Sequence, residues 1–346
     1  MPPRHAALAV LVAVVWGANF VVIDLGIGDV PPTLFVAVRF VVVLVPAILL
    51  VPRPRVPWGD VVLVGLFMSL GQFALLYTAL AVGMPAGLAS LVLQAQVGLT
   101  VVIAAVTLRE RPNRAQVVGV LVGAVGLGIV AMGRSAATPA LGLLLVVAAA
   151  TSWAIGNVAS RRASGRGAVL PSGERVPAGR ASGLSMTVWS ATVVPVPLFL
   201  LALVLDGPDA VATALTHPTL PAVLSTLYTA WFASLLGYGI WNTLLARHPS
   251  AAVVPYAMLV PVVGLSTAWL VQGEVPNAWE ATGGALLLLG VAVTTGVLHP
   301  GRRRRRSGGA PGAATPTPDE GPYAGRPGDD TCSMIRGSSS AVSARA

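Results

Sequence analysis

The chain has 346 residues, 55% hydrophobic and only 10% charged, a balance that water-soluble domains of this length do not carry. Its 22 basic residues include no lysine, which excludes a lysine-dependent phosphate loop or Schiff base, and its single cysteine, Cys332, excludes a disulfide framework or cysteine metal site within the chain. The formal charge of +9 resides in arginines gathered at the N-terminus, in short loops and in the tail, a pattern of membrane topology and anionic lipid rather than nucleic acid.

About 20 mostly apolar residues cross a bilayer. Stretches free of Asp, Glu and Arg, split at turn signals, give ten spans: 6–26, 32–51, 58–80, 85–108, 112–132, 139–162, 184–205, 219–246, 249–271 and 278–298. The first runs into Asp24-Leu25-Gly26 with no small-residue cleavage pattern, so it reads as a span and not as a removed signal peptide. The second contains Arg39, about 10 Å from its outer end at 1.5 Å per residue. Two readings of it are open: snorkelling outward or pairing with Asp24 or Asp29, and facing a cavity to meet a carboxylate. The third and fourth spans share the charge-free run Val61–Leu108, divided at Gly83-Met84-Pro85.

The fourth span carries Gln94 and Gln96, roughly 14 to 17 Å below its outer end and close to the midplane of a ~30 Å core. Two positions on a helix diverge by about 200°, so one amide is expected toward a central pathway and the other toward a neighbouring helix, with plain interhelical bonding as the alternative for either. The ninth span has Pro255 and Pro261 where the fourth has Leu91 and Val97. They predict a broken ladder with freed carbonyls near mid-depth, serving a solute or only kinking the helix. Trp16, Asn19, Gln72, Tyr77, Trp153, Asn157, Tyr238, Trp241, Asn242 and Tyr256 add amides and rings suited to a small polar solute with an apolar part. Of these, Tyr77, Trp241 and Asn242 lie near span ends, where interfacial anchoring is the other reading. The fifth and tenth spans carry glycines at 119, 123, 126 and 128 and at 283, 284 and 290, which suit close packing in a scaffold or a homodimer contact.

With the N-terminus inside, the inner segments collect nearly all the arginines and the outer loops only Arg134, with Asp29, Asp206, Asp209, Glu274 and Glu280 for the rest. An even number of spans with both termini cytoplasmic follows. Sliding the chain on itself by 164 residues aligns Pro85 with Pro249, Glu110 with Glu274, Pro112-Asn113 with Pro276-Asn277 and Gly126 with Gly290. Leu70-Gly71 meets Leu236-Gly237 after a two-residue slip, and Trp16-Gly-Ala-Asn19 meets Trp153-Ala-Ile-Gly-Asn157 after a further one. Each half then holds five spans, and an odd number turns the second copy upside down, the plan of secondary transporters. The expected architecture is all-α and polytopic, a 5+5 inverted repeat of residues 1–134 and 135–300, with a basic cytoplasmic loop at 163–183 and a disordered tail at 301–346. Arg302 to Arg306 are expected on anionic lipid. A membrane-embedded enzyme would need a mid-span nucleophile with a base or a metal cluster; the four histidines, His5, His217, His248 and His299, lie at span ends or in loops, so no cofactor or metal is expected and a carrier is preferred.

The stretches WGANFVVI (16–23), RF (39–40), GMPAGLASLVLQAQ (83–96), SWAIGN (152–157), GYGIWNTLL (237–245) and VPVVGLS (260–266) resemble the drug/metabolite transporter superfamily, EamA type, and most closely its O-acetylserine/cysteine exporter branch. The resemblance covers residues 6 to 298. It implies a ten-helix carrier in the bacterial inner membrane that exports small metabolites such as amino acids or their derivatives, with broad drug or amphiphile efflux as the alternative. It also implies a cavity lined by helices 1, 3, 4, 6, 8 and 9. Carried onto this chain, that favours Trp16, Asn19, Gln72, Gln94, Tyr238 and Tyr256, beside Arg39, Gln96, Asn157 and Pro261 from the residue reading. Neutral amides at mid-membrane recognise a zwitterion without the cost of a buried charge.

Overall fold

The computed structural model describes residues 1–28, 30–133, 138–166, 168–169, 175–176 and 182–297. Asp29, Arg134, His299, Cys332, Arg302 to Arg306 and most of the basic loop lie outside the described residues. Ten helices are long and apolar enough to cross a membrane: α1 (Pro3–Ile27), α2 (Pro32–Leu50), α3 (Trp58–Ala81), α4 (Ala86–Thr107), α5 (Arg114–Met132), α6 (Ala140–Ala163), α7 (Leu184–Leu205), α8 (Leu220–Arg247), α9 (Val254–Gln272) and α10 (Ala278–Thr295). Each matches an expected span to within a few residues, because a lipid-facing helix must be apolar along its whole length and Gly, Pro and charge mark its ends. The one strand pairing among the described residues is a two-residue antiparallel pair, Ala168–Val169 with Arg175–Val176.

The ends are set by local chemistry. Asn113 and Asn277 open α5 and α10 with reciprocal caps, each side chain accepting from the N–H three residues on while Gln116 or Glu280 reaches back. Gly273 closes α9 in the left-handed region (φ 69°), a turn that a side chain at that position would strain, and so delivers Glu274 to the bundle. The ends sort onto two faces. Helix ends at Arg4, Arg53, Arg55, Arg109, Arg111, Arg114, Arg161, Arg162 and Arg247 share the N-terminal face; Asp24, Asp206, Asp209, Glu274 and Glu280 share the opposite one.

Five spans depart from regular α geometry, four of them in a paired way; the fifth is α7, with a 3₁₀ turn at Ala191–Val193. Both α3 and α8 contain π-helical turns, Gly65–Gly71 and Tyr228–Leu236. Tight 3₁₀ turns occur in α4 at Leu93–Ala95 and at the start of α9, Val254–Met258. Pro255 and Pro261 account for the break in α9, but α4 breaks without a proline, which its sequence did not foretell. A π turn widens the ladder and leaves a carbonyl short of its usual donor. A neighbouring helix adds a side-chain donor at each π turn: Ser152 Oγ of α6 donates to Phe67 O in α3 (2.7 Å), and Trp16 Nε1 of α1 donates to Ala233 O in α8 (2.8 Å).

Packing pairs α5 with α10, α1 with α9 and α8, α6 with α4 and α3, α4 with α9, and α2 with α7. The α5–α10 seam is the tightest: a Cβ built on Gly290 would stand 2.4 Å from Gly123 N, and one on Gly126 2.5 Å from Gly283 O. Gly119, Gly123, Gly126, Gly283 and Gly290 therefore pack α5 and α10 against each other within one chain, while Gly284 meets Leu91 and Gly128 meets nothing within 4 Å. The largest buried apolar cluster joins residues of α1, α2, α3, α4 and α6, among them Phe20, Phe35, Leu76, Leu91 and Val146.

Candidate functional site

Two groups of polar side chains lie deep in the bundle. The first surrounds Arg39 on α2. Its side chain is 2% exposed, in contrast to a snorkelling arginine, and it does not pair with Asp24. Nη1 donates to Tyr77 Oη (3.0 Å) on α3 and Nη2 to Ser234 Oγ (3.0 Å) on α8, while Nε has no acceptor. The guanidinium lies 4.2 Å from the centre of the Phe73 ring and 5.5 Å from that of Phe40. Ser234 Oγ in turn donates to Thr229 O, five residues back, a bond the π turn makes available. Tyr238 stands within electrostatic reach of Arg39 and packs against Trp16 (centroids 5.1 Å apart), whose other neighbour is Trp241 (5.3 Å). Tyr77 is fully buried and Trp241 is part of this ring cluster, so neither is an interfacial anchor. Asn242 donates to Tyr238 O one turn back.

The second group sits where the two interrupted helices α4 and α9 meet. Gln94 Nε2 reaches Ala257 O at 3.5 Å, the limit of a hydrogen bond. Pro261 explains why that carbonyl is offered: four residues on, it lacks the N–H that an α-helix would direct to Ala257 O. Gln96 points the other way and accepts from Asn157 Nδ2 of α6 (3.0 Å). Both amides thus touch neighbouring helices, in place of the expected division into one pathway amide and one packing amide. Gln94 is 8% exposed, whereas Gln96, Asn157 and Tyr256 are half-buried; Pro261 is buried.

Helix α1 joins the groups. A Cβ on Gly17 would lie 2.5 Å from Val263 Cβ and 2.7 Å from Val260 O, and one on Gly264 would meet Ser90 Oγ at 2.3 Å, so α1, α9 and α4 touch nearly backbone to backbone. Trp16 and Asn19 flank that contact. Asn19 is buried with Oδ1 unpartnered, and Gln72 on α3 is 4% exposed. The structure therefore gathers Trp16, Arg39 and Tyr238 in one group and Gln94, Gln96, Asn157 and Pro261 in the other; it forms no direct bond between Gln72 or Tyr256 and either. Sequence reasoning missed Ser234 and Phe73. Two aromatic residues spaced four apart, Phe73 and Tyr77, on the helix after Arg39 were the available signal.

On the face opposite the N-terminus, Glu274 sits on the first turn of α4, its two oxygens accepting from Ala86 N (2.8 Å) and Gly87 N (2.9 Å). Burial pushes its carboxyl above the ordinary range, the two N–H groups oppose this, and the charges of Asp24 and Glu280 add to the rise. Asp24 accepts from Gln272 Nε2 at the end of α9. The sequence counterpart of Glu274, Glu110, lies on the N-terminal face, half exposed and 3.2 Å from Arg161.

Comparison with known proteins adds context to this geometry. A family model for the EamA-like transporter family matches twice, over residues 4–132 and 140–296. A probable amino-acid metabolite efflux pump of Salmonella typhimurium strain LT2 is 39% identical over 89% of this chain and 100% of its own length. Its Escherichia coli strain K12 namesake is 38% identical over 85% and 95%. A probable terminal-alkyne amino-acid exporter of Streptantibioticus cattleyicolor is 30% identical over 67% of this chain and 70% of its own. A solved crystal structure, 22% identical and covering 86% of this chain and 98% of that one, shares the fold with a TM-score of 0.53.

Proposed function

The chain belongs to the EamA-like transporter family, and from that membership we propose that it is a secondary carrier, not an enzyme, exporting small metabolites, amino acids or their derivatives among them, across the inner membrane by alternating access. The observation that carries this reading is the meeting of α4 and α9 near mid-membrane, both interrupted there, with Gln94 on the carbonyl that Pro261 leaves to it. Regular packing alone gives two helices no reason to give up α geometry at the same depth. The efflux pumps it resembles supply the solute class.

Duplicated, inverted halves at 1–134 and 135–300 are part of the proposal. They draw support from the two family matches, from the paired π and 3₁₀ turns, and from the packing list. Renumbering α1–α5 as α6–α10 and the reverse turns α1–α9 into α6–α4 and α1–α8 into α6–α3, while α5–α10, α4–α9 and α2–α7 map onto themselves. In such a carrier one half adopts the other's shape to move the opening from one face to the other. The arginine-rich face is assigned to the cytoplasm, with both termini there and Arg302 to Arg306 on anionic lipid.

The cluster of Trp16, Tyr238 and Trp241 favours a second reading, efflux of broader amphiphiles by the same route. Purified protein in liposomes distinguishes the readings. Loaded with labelled amino acids and, separately, with amphiphilic dyes, vesicles should release the amino acids faster than protein-free ones. Dye release alone would favour the second reading, and a chemically altered solute with no net flux would return the protein to the enzymes.

A further inference from the structure

Arg39 carries a full positive charge into the apolar layer, and its partners orient that charge without cancelling it. Tyr77 and Ser234 are neutral hydroxyls, and the Phe40 and Phe73 rings offer only quadrupoles, each worth about 0.5–2 kcal/mol. A buried ion costs several kcal/mol, and hydrogen bonds to neutral groups leave its field intact. No carboxylate among the described residues pairs with it: Asp24 is held by Gln272, Glu274 by α4 and Glu110 by Arg161. Nε, with no acceptor, and the remaining N–H groups of Nη1 and Nη2 are therefore left to a donor-hungry group from elsewhere.

We propose that Arg39 is the carboxylate anchor of the transport site, so that the solute must carry a free carboxylate. This rests on the carrier reading above and narrows it. A guanidinium takes a carboxylate through two parallel N–H···O bonds, and the edge that includes Nε presents that fork. The location fits the role. Arg39 is held between α2, α3 and the π turn of α8, and through Tyr238 it borders Trp16 on α1. Three helices thus converge on one cation, apart from the α4–α9 crossing. Reaching the Nε edge requires α8 to part from α2 and α3, and alternating access supplies that movement. Carboxylate binding would replace the Ser234 contact on the moving helix, coupling occupancy to opening.

The test is efflux from liposomes holding the full-length protein, comparing L-amino acids with their carboxamides, which keep the size and the amino group and lose only the negative charge. The wild type should move the acids at least tenfold faster than the amides. Arg39→Gln should lose at least tenfold on the acids, bringing its acid-to-amide rate ratio toward one, and Arg39→Lys should retain part of the acid rate. Equal wild-type rates on acid and amide would overturn the proposal while leaving the carrier intact; so would full acid transport by Arg39→Gln. The wild-type acid–amide comparison needs no variant, so it decides the matter even where Arg39→Gln does not fold. Transport of neither compound would fell the amino-acid reading on which this proposal rests.

Discussion

Single residues in this bundle are best understood through the partner each one needs in lipid. Gln94 spans from α4 to a carbonyl that a proline leaves short, so Gln94→Leu removes one neutral hydrogen bond and leaves the helix apolar. Such a bond is worth about 0.5–1.5 kcal/mol. Transport should fall roughly 3- to 10-fold, while membrane insertion, measured by the amount of protein in the membrane fraction, stays the same. Unchanged flux would make Gln94 a packing residue. The positions of these side chains were legible in the sequence, because a polar residue in an apolar run stands out. Their partners were not. Arg39 finds Tyr77 and Ser234, which lie 38 and 195 residues away, and depth along a span says nothing about which neighbour a side chain faces. Tyr77 looked like an interfacial anchor because it falls near the end of its span, and burial at the three-helix contact overrode that position.

The ten elements were legible for a simple reason, since hydropathy measures the cost of exposure to lipid along a length the bilayer fixes. Their internal geometry was not, except in α9. A π turn costs little in sequence terms when a neighbour adds a side-chain donor, as Ser152 and Trp16 do from α6 and α1. The glycine seam between α5 and α10 gives an element-scale prediction with its own control. A methyl at Gly290 would collide with the backbone of Gly123 and Gly119, whereas one at Gly128 meets nothing within 4 Å. Gly290→Ala should therefore cost about 1–3 kcal/mol of stability in detergent. Gly128→Ala, gaining helix propensity, should be neutral or slightly stabilising. Equal melting of the two would mean that the seam is looser than its distances imply. Glu274, which ties the end of α9 to the start of α4, gives a pH prediction. Burial, with Asp24 and Glu280 nearby, outweighs the two N–H groups, so the seated carboxyl holds its proton more tightly than the free one. Its contribution to stability is then full below the ordinary value of 4.5 and declines as pH rises through the seated value. Glu274→Gln cannot titrate, so the melting difference between it and the wild type should change as pH rises above the ordinary carboxylate value; a flat difference would remove Glu274 as the cause.

At the scale of the whole molecule, the arginines of the described residues gather on one face and most of the acids on the other, and the bilayer converts that asymmetry into an orientation. The reverse orientation would carry Arg53, Arg55, Arg109, Arg111, Arg114, Arg161 and Arg162 across the membrane in short segments, the placement that insertion disfavours most strongly. Inverted halves make the same demand from another direction. Under the proposed repeat, Glu110 and Glu274 would occupy matching positions in the two copies, and five crossings per half would put one on the N-terminal face and the other on the opposite face. Because Cys332 is the chain's single cysteine, Cys332→Ser gives a background in which each new thiol reports alone. Arg111→Cys samples the arginine-rich face, and Asp206→Cys and Val275→Cys sample the acidic one, all three at exposed positions. In intact cells a membrane-impermeant maleimide should label the thiols at 206 and 275 and spare the one at 111 until the membrane is permeabilised. Labelling at 111 from outside would reverse the orientation, and labelling of 206 and 275 from opposite sides would break the even count of crossings on which the exchange between two inverted halves depends.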